Sequence, residues 1–169
     1  VIAFDDNAKS IAKANDAGIA TADLRTIDWS KVSSLLLAPG VPLTHPEPHW
    51  TVKLAQRVGV EVIGDIELFC RERRKIAPGS PFIAITGTNG KTTVTSLTGQ
   101  LCRAAGLSVK VAGNISPAAL DVLRDAMAHD ELPQCWVLEL SSFQLFTTFS
   151  LNADAATVLN ITQDHLDWH

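Results

Sequence analysis

The chain has 169 residues, 46% apolar and 19% charged, with a net charge of −4. That length holds one large α/β domain or two smaller ones with a sizeable core. The mild acidity argues against a nucleic-acid-binding domain, since no basic stripe exists to neutralise phosphates, and no apolar run nears the roughly 20 residues that insert in a membrane.

Residues 1–4, Val-Ile-Ala-Phe, read as a buried strand that runs into the acidic turn Asp5-Asp6-Asn7. Residues 8–17 carry helical spacing, with Ile11, Ala14 and Ala17 near one face and Gly18 as the stop. Leu35-Leu36-Leu37 is a short apolar strand leading to Ala38-Pro39-Gly40 and a loop rich in proline (Pro42, Pro46, Pro48). Residues 50–58 read as a helix, 60–63 as a strand, and Asp65 as the cap of a helix through Arg73. Residues 77–81, Ala-Pro-Gly-Ser-Pro, interrupt both periods and form the expected linker. A second α/β pattern follows: strand 82–86, a glycine loop, helix 92–105, strand 109–111, helix 117–128, and strands 136–140 and 155–159. Strands alternating with helices at this interval imply parallel βαβ units, an α/β fold.

The run Arg71-Glu72-Arg73-Arg74-Lys75 reads as a solvated helix end rather than a binding patch. Cys70, Cys102 and Cys135 are odd in number and far apart, which suggests reduced, buried thiols in a cytosolic protein. There is no signal-peptide pattern, and the first and last residues both look like cut ends.

The chemistry concentrates at Gly87-Thr88-Asn89-Gly90-Lys91-Thr92-Thr93, where an apolar strand feeds a glycine turn that opens onto a helix. Gly87 and Gly90 allow the bend that makes successive N–H groups converge on a phosphate. The helix start adds partial positive charge, Lys91 can reach the terminal phosphates, and the Thr92 hydroxyl is placed to coordinate Mg²⁺. The common phosphate-loop spacing asks for glycine at position 85, where this chain has Ile85, so only the Gly-Lys-Thr end matches.

Trp136-Val137-Leu138-Glu139 is an apolar strand ending in a carboxylate. In nucleotide-binding sheets ligands sit beyond the carboxyl ends of the strands, so Glu139 would face Lys91 and could hold Mg²⁺ or its waters. Alone, such a residue is more often a solvated strand end; the glycine loop reverses that balance. After the strand at 155–159, His165 reads as a metal ligand, a substrate contact or a structural residue, and Asp164 as its orienter or a helix cap. Gly113-Asn114 is a turn open to the same alternatives. Asp5 and Asp6 match a ribose-binding carboxylate position or a plain acidic turn. His45 and His49 lack metal-ligand spacing and receive no role.

The loop at residues 87–93 resembles the ATP loop of the Mur ligases and their folylpolyglutamate synthetase relatives. Leu138-Glu139-Leu140-Ser141-Ser142-Phe143-Gln144-Leu145, Ala112-Gly113-Asn114-Ile115 and Asn160-Ile161-Thr162-Gln163-Asp164-His165 resemble the D-glutamate-adding branch, as do Ala38-Pro39-Gly40-Val41-Pro42 and Gly64-Asp65-Ile66-Glu67-Leu68-Phe69. The resemblance implies a Rossmann-like N-terminal domain lacking its first strand and glycine turn (1–77), then the first part of a P-loop-type ATPase α/β domain (78–169). It implies an ADP-forming amide ligase that joins D-glutamate to UDP-N-acetylmuramoyl-L-alanine through an acyl phosphate, a step of peptidoglycan synthesis. ATP and Mg²⁺ are the implied cofactors. Residues 87–93 would take the ATP phosphates, Glu139 and His165 the Mg²⁺, Asn114 and His165 the muramoyl end, and Asp5, Asp6 and Gly40 the uridine end. Some members carry an arginine near the Asp5-Asp6-Asn7 turn, where this chain has Asn7. The expectation is a cytoplasmic monomer whose 169 residues alone do not catalyse. The rivals are another amino-acid ligase of this fold and a nucleotide-binding regulator without turnover.

Overall fold

The protein is seen in a computed structural model that describes residues 1–163. The Asn7 side chain accepts the Lys9 N–H and opens α1 (Ala8–Asp16). A 3-10 turn at Trp29–Lys31 leads to β1 (Ser34–Leu36). After the proline-rich loop comes α2 (Trp50–Val58), closed by Gly59 at φ 73°. β2 (Glu61–Ile63) lies parallel to β1, with Ser34 opposite Glu61 and Leu36 opposite Ile63. Residues 1–4 do not form the expected strand. Only Ala3 is bridged, to Thr21, and Val1 and Ile2 are exposed. One bridge gives no ladder, and an apolar run without a covered face lacks the burial that holds a strand flat.

The larger unit contains α3 (Asp65–Ile76), β3 (Phe82–Thr86), α4 (Lys91–Ala104), β4 (Val109–Gly113), α5 (Ala119–Ala128), β5 (Cys135–Glu139), α6 (Ser142–Phe146) and β6 (Ala155–Val158). Its four strands are parallel in the order β4-β5-β3-β6. Side-chain alternation divides the core between the two faces. Ile85, Cys135 and Val137 meet Val94 and Cys102 of α4, while Ala84, Trp136 and Leu138 meet α5 and α3. β5 is buried along its whole length, as a central parallel strand must be. Phe69 of α3 lies edge-on to Trp136 with ring centroids 5.2 Å apart. Thus α3, which directly follows β2 of the small strand pair, buries its apolar face against the large sheet.

Two local expectations need correction, and one element was missed. Gly64, not Asp65, occupies the N-cap of α3, and the Asp65 carboxylate instead accepts the Gln144 side chain at 3.0 Å. The basic run at 71–75 is not simply a solvated helix end. Arg73 is buried and donates to the Ser80 carbonyl at 2.6 Å, and Arg71 joins Glu61 to Glu67. α6 was not foreseen; it starts with a reciprocal capping box between Ser141 and Gln144.

Candidate functional site

β3 delivers the glycine loop to the carboxyl edge of the large sheet. Gly87 (φ 143°) and Gly90 (φ 81°) hold backbone conformations that side chains disfavour. At Gly87 a Cβ would also crowd the Asn160 nitrogen and the Leu159 Cβ, each at 3.1 Å. Gly90 is the N-cap of α4 and offers no side-chain cap. The amides of the first helical turn therefore have no capping side chain, which is the arrangement that receives an anion. The Lys91 ammonium donates to the Gly87 and Thr88 carbonyls at 2.8 and 3.0 Å, so the cation rests against the loop it would serve.

Glu139 ends β5 and is 2% exposed. Its Oε2 accepts the Thr92 hydroxyl at 2.8 Å and its Oε1 accepts the Asn114 Nδ2 at 3.0 Å. The Asn114 N–H donates to the Glu139 carbonyl at 2.8 Å, and Gly113 (φ 116°) turns the backbone tightly around that carbonyl. No cation pairs with Glu139 among the described residues. A buried carboxylate with only neutral donors is poorly compensated, and a bound cation would correct this. Among the described residues no group of three or more His, Cys, Asp or Glu is set to hold a metal. A buried carboxylate beside a hydroxyl is a donor set of the kind Mg²⁺ takes, since that ion uses one or two protein oxygens and fills its octahedron with waters and phosphate.

Around these groups lies a cavity of about 460 Å³, lined by residues 88–93, Asn114, Ile115 and Glu139. The structure thus gathers most of the expected site in one place. A contributor not foreseen is Asn160, just beyond β6. Its side chain accepts the Asn89 N–H and donates to the Asn89 carbonyl, both at 2.9 Å, while its own carbonyl accepts the Thr88 N–H at 3.0 Å. An asparagine after a strand is the only signal the sequence carries for that role. His165 and Asp164 lie outside the described residues.

Asp5, Asp6 and Gly40 belong to the small unit and do not line this cavity. Asp5 accepts the Asn7 N–H at 2.7 Å. Asp6 meets His49 Nε2 at 3.0 Å, and the His49 N–H donates to the Pro42 carbonyl at 2.9 Å, so His49 ties the acidic turn to the loop beyond Gly40. Gly40 itself (φ 87°) follows Pro39 in a turn closed by the Val41 N–H on the Ala38 carbonyl at 3.1 Å. Burial pushes the Cys70 and Cys135 thiols up to about 11, which makes both poor nucleophiles; Cys102, expected to be buried as well, is only half-buried.

Residues 85–169 match the family described as Mur ligase middle domain. The whole chain is 54% identical to a UDP-N-acetylmuramoylalanine--D-glutamate ligase of Agrobacterium fabrum and 55% identical to one of Mesorhizobium japonicum, covering 35% of each. It therefore spans about a third of the length of these relatives. The crystal structure of UDP-N-acetylmuramate:L-alanyl-gamma-D-glutamyl-meso-diaminopimelate ligase from Neisseria meningitides aligns over 99% of this chain and 54% of its own, with a TM-score of 0.53 and 14% identity. That likeness shows the α/β fold alone.

Proposed function

The chain belongs to the Mur ligase family, and from that premise we propose that it forms part of an ATP-dependent ligase that adds D-glutamate to UDP-N-acetylmuramoyl-L-alanine. The observation that carries this reading is the buried Glu139 carboxylate, hydrogen-bonded to Thr92 of the glycine loop at 2.8 Å. The relatives' names supply the amino acid and the nucleotide sugar.

On this reading the amides of residues 87–93 bind the ATP phosphates and Lys91 shifts from its carbonyls onto them. Thr92, Glu139 and His165 would hold Mg²⁺, which when bound would offset charge on the phosphoryl group in transfer. The muramoyl carboxylate attacks the γ-phosphate, ADP leaves, and the D-glutamate amine displaces phosphate from the acyl phosphate. Asn114, anchored on Glu139, and His165 orient the muramoyl end, and Asp5, Asp6 and Gly40 take the uridine end. Residues 1–77 act as the nucleotide-sugar domain and 78–169 as part of the ATPase domain. The protein works as a cytoplasmic monomer; among the described residues no helix is long and apolar enough to cross a membrane.

The test supplies full-length protein with ATP, Mg²⁺, UDP-N-acetylmuramoyl-L-alanine and a panel of amino acids. ADP release that depends on D-glutamate is expected. Preference for another amino acid, or turnover indifferent to any, overturns the proposal.

A further inference from the structure

A second polar junction lies away from the glycine loop, where α3 meets the segment after β5. The Gly64 N–H donates to the Thr147 carbonyl at 3.0 Å, and a Cβ at Gly64 would overlap the Thr147 hydroxyl. Asp65 Oδ2 accepts Gln144 Nε2 at 3.0 Å. Glu67 Oε2 accepts the N–H groups of Phe149 and Ser150, both at 2.7 Å, and its Oε1 accepts Arg71 Nε at 2.7 Å. Arg71 continues to Glu61 of β2 at 2.6 and 3.0 Å, and Arg74 donates to the Ser150 carbonyl at 2.8 Å.

Glu67 is 1% exposed. A buried charge of this kind adds little net stability compared with an apolar side chain, because desolvation offsets most of the attraction. What it adds is direction: the N–H groups of Phe149 and Ser150 fix one placement of α3 against that segment, while Arg71 on the same helix holds the carboxylate in line. The two ends of the junction lead to the two halves of the proposed site. On one side Gly64 follows β2, whose Ile63 carbonyl accepts the Leu37 N–H at 2.8 Å just before the Gly40 turn. On the other, Gln144 Oε1 accepts the Ser141 N–H at 3.1 Å, two residues beyond Glu139.

We infer that Asp65 and Glu67 are positioning residues, forming a latch that sets the small strand pair at a fixed place relative to the Glu139 end of the large sheet. The inference rests on the proposed function, in which one substrate spans both units with its uridine on the first and its carboxylate near Glu139. A ligand confined to one unit does not feel the latch. A substrate spanning both does, because misplacement by about 1 Å can cost around a hundredfold in rate.

The experiment uses full-length protein carrying Glu67→Gln. The amide keeps the shape but cannot accept from both Arg71 and the two backbone N–H groups. Expected is a fall of about tenfold or more in kcat/KM for UDP-N-acetylmuramoyl-L-alanine, with the separately measured affinities for UDP and ADP within about twofold of wild type. Parallel loss of both single-ligand affinities and activity would mark a merely structural residue and overturn the latch, as would unchanged kcat/KM. Should Glu67→Gln not fold, Arg74→Gln on the exposed side removes only the bond to Ser150 and should give the same split at about threefold, with an unchanged result overturning the proposal. If the wild type fails to ligate D-glutamate, the functional reading falls. The latch is then judged by spin labels at Lys13 and Met127 in a Cys102→Ser background: their distance distribution must broaden in Glu67→Gln, and an unaltered distribution rejects it.

Discussion

Replacing Gly113 by alanine tests whether the turn after β4 is held as tightly as its contacts imply. At φ 116° the backbone lies in a region that an L side chain enters only with strain, about 1–3 kcal/mol. The new Cβ would also meet the Glu139 carbonyl carbon and nitrogen at 3.1 Å, and the Glu139 oxygen closer still. Those atoms belong to a central strand and cannot swing aside, so crowding adds about 1–3 kcal/mol. For a chain of this size each kcal/mol lowers Tm by about 2–4 °C, which gives a loss of roughly 5–20 °C. Relief by parting β4 from β5 would draw the Asn114 amide off Glu139, so Mg²⁺-dependent nucleotide affinity should fall as well. Gly106→Ala is the control: its φ is 88° but nothing lies within 4 Å, leaving strain alone. Thermal melts followed by circular dichroism compare the two. If Gly113→Ala melts no lower than Gly106→Ala, the crowding reasoning is wrong.

Lys91→Ala in the full-length protein should abolish nearly all ADP release while shifting Tm by no more than about 2 °C, since the ammonium contacts only loop carbonyls; near-normal turnover would refute the phosphate-loop role. Glu139→Gln keeps volume but loses charge, so activity titrated against Mg²⁺ should require about tenfold more metal, and an unchanged curve would return Glu139 to a structural role. Acid stability should depend on Glu67. Burial pushes its carboxyl up, but the Ser150 N–H, the Arg71 guanidinium and the Phe149 N–H pull it further down, from 4.5 to about 2. A group depressed in the folded state contributes fully above its unfolded pKa of 4.5 and loses that contribution as pH falls toward 2. The gap corresponds to about 3 kcal/mol. Urea midpoints for wild type and Glu67→Gln should therefore converge between about pH 5 and pH 2.5, and parallel curves would contradict the reading.

The glycine loop was legible because its signal is local: an apolar strand, two glycines and Lys91-Thr92 follow one another without a gap. Glu139 was legible as a carboxylate at the end of an apolar strand facing the glycine loop, but its burial, which gives it chemical weight, was not. The polar junction of α3 escaped because its partners lie far along the chain. Glu67 binds the Phe149 N–H 82 positions away, and no periodicity reports such a bond. The same holds for Asn160 and Asn89, 71 positions apart. α6 is five residues long, too short to show a helical period, although Ser141 and Gln144 stand at capping-box spacing. Residues 1–4 misled for the opposite reason. Their local pattern suits a strand, but a strand exists only with a neighbour along its length, and Ala3 alone finds one.

The Asn160 side chain has a mechanical consequence. β3 and β6 are paired through Thr86 and Val158, and the hydrogen bonding runs on past both strands, from the Leu159 N–H to the Thr86 carbonyl and from the Thr88 N–H to the Asn160 carbonyl. The carboxamide then grips both backbone groups of Asn89, so the glycine loop has little slack of its own. A displacement of residues 159–162 would pull on Thr88 and Asn89 through these bonds, and an anion seated on those amides would stiffen the far end of β6 in return. The loop and the strand end form one lever, with Thr88 and Asn89 on one arm and residues 159–162 on the other.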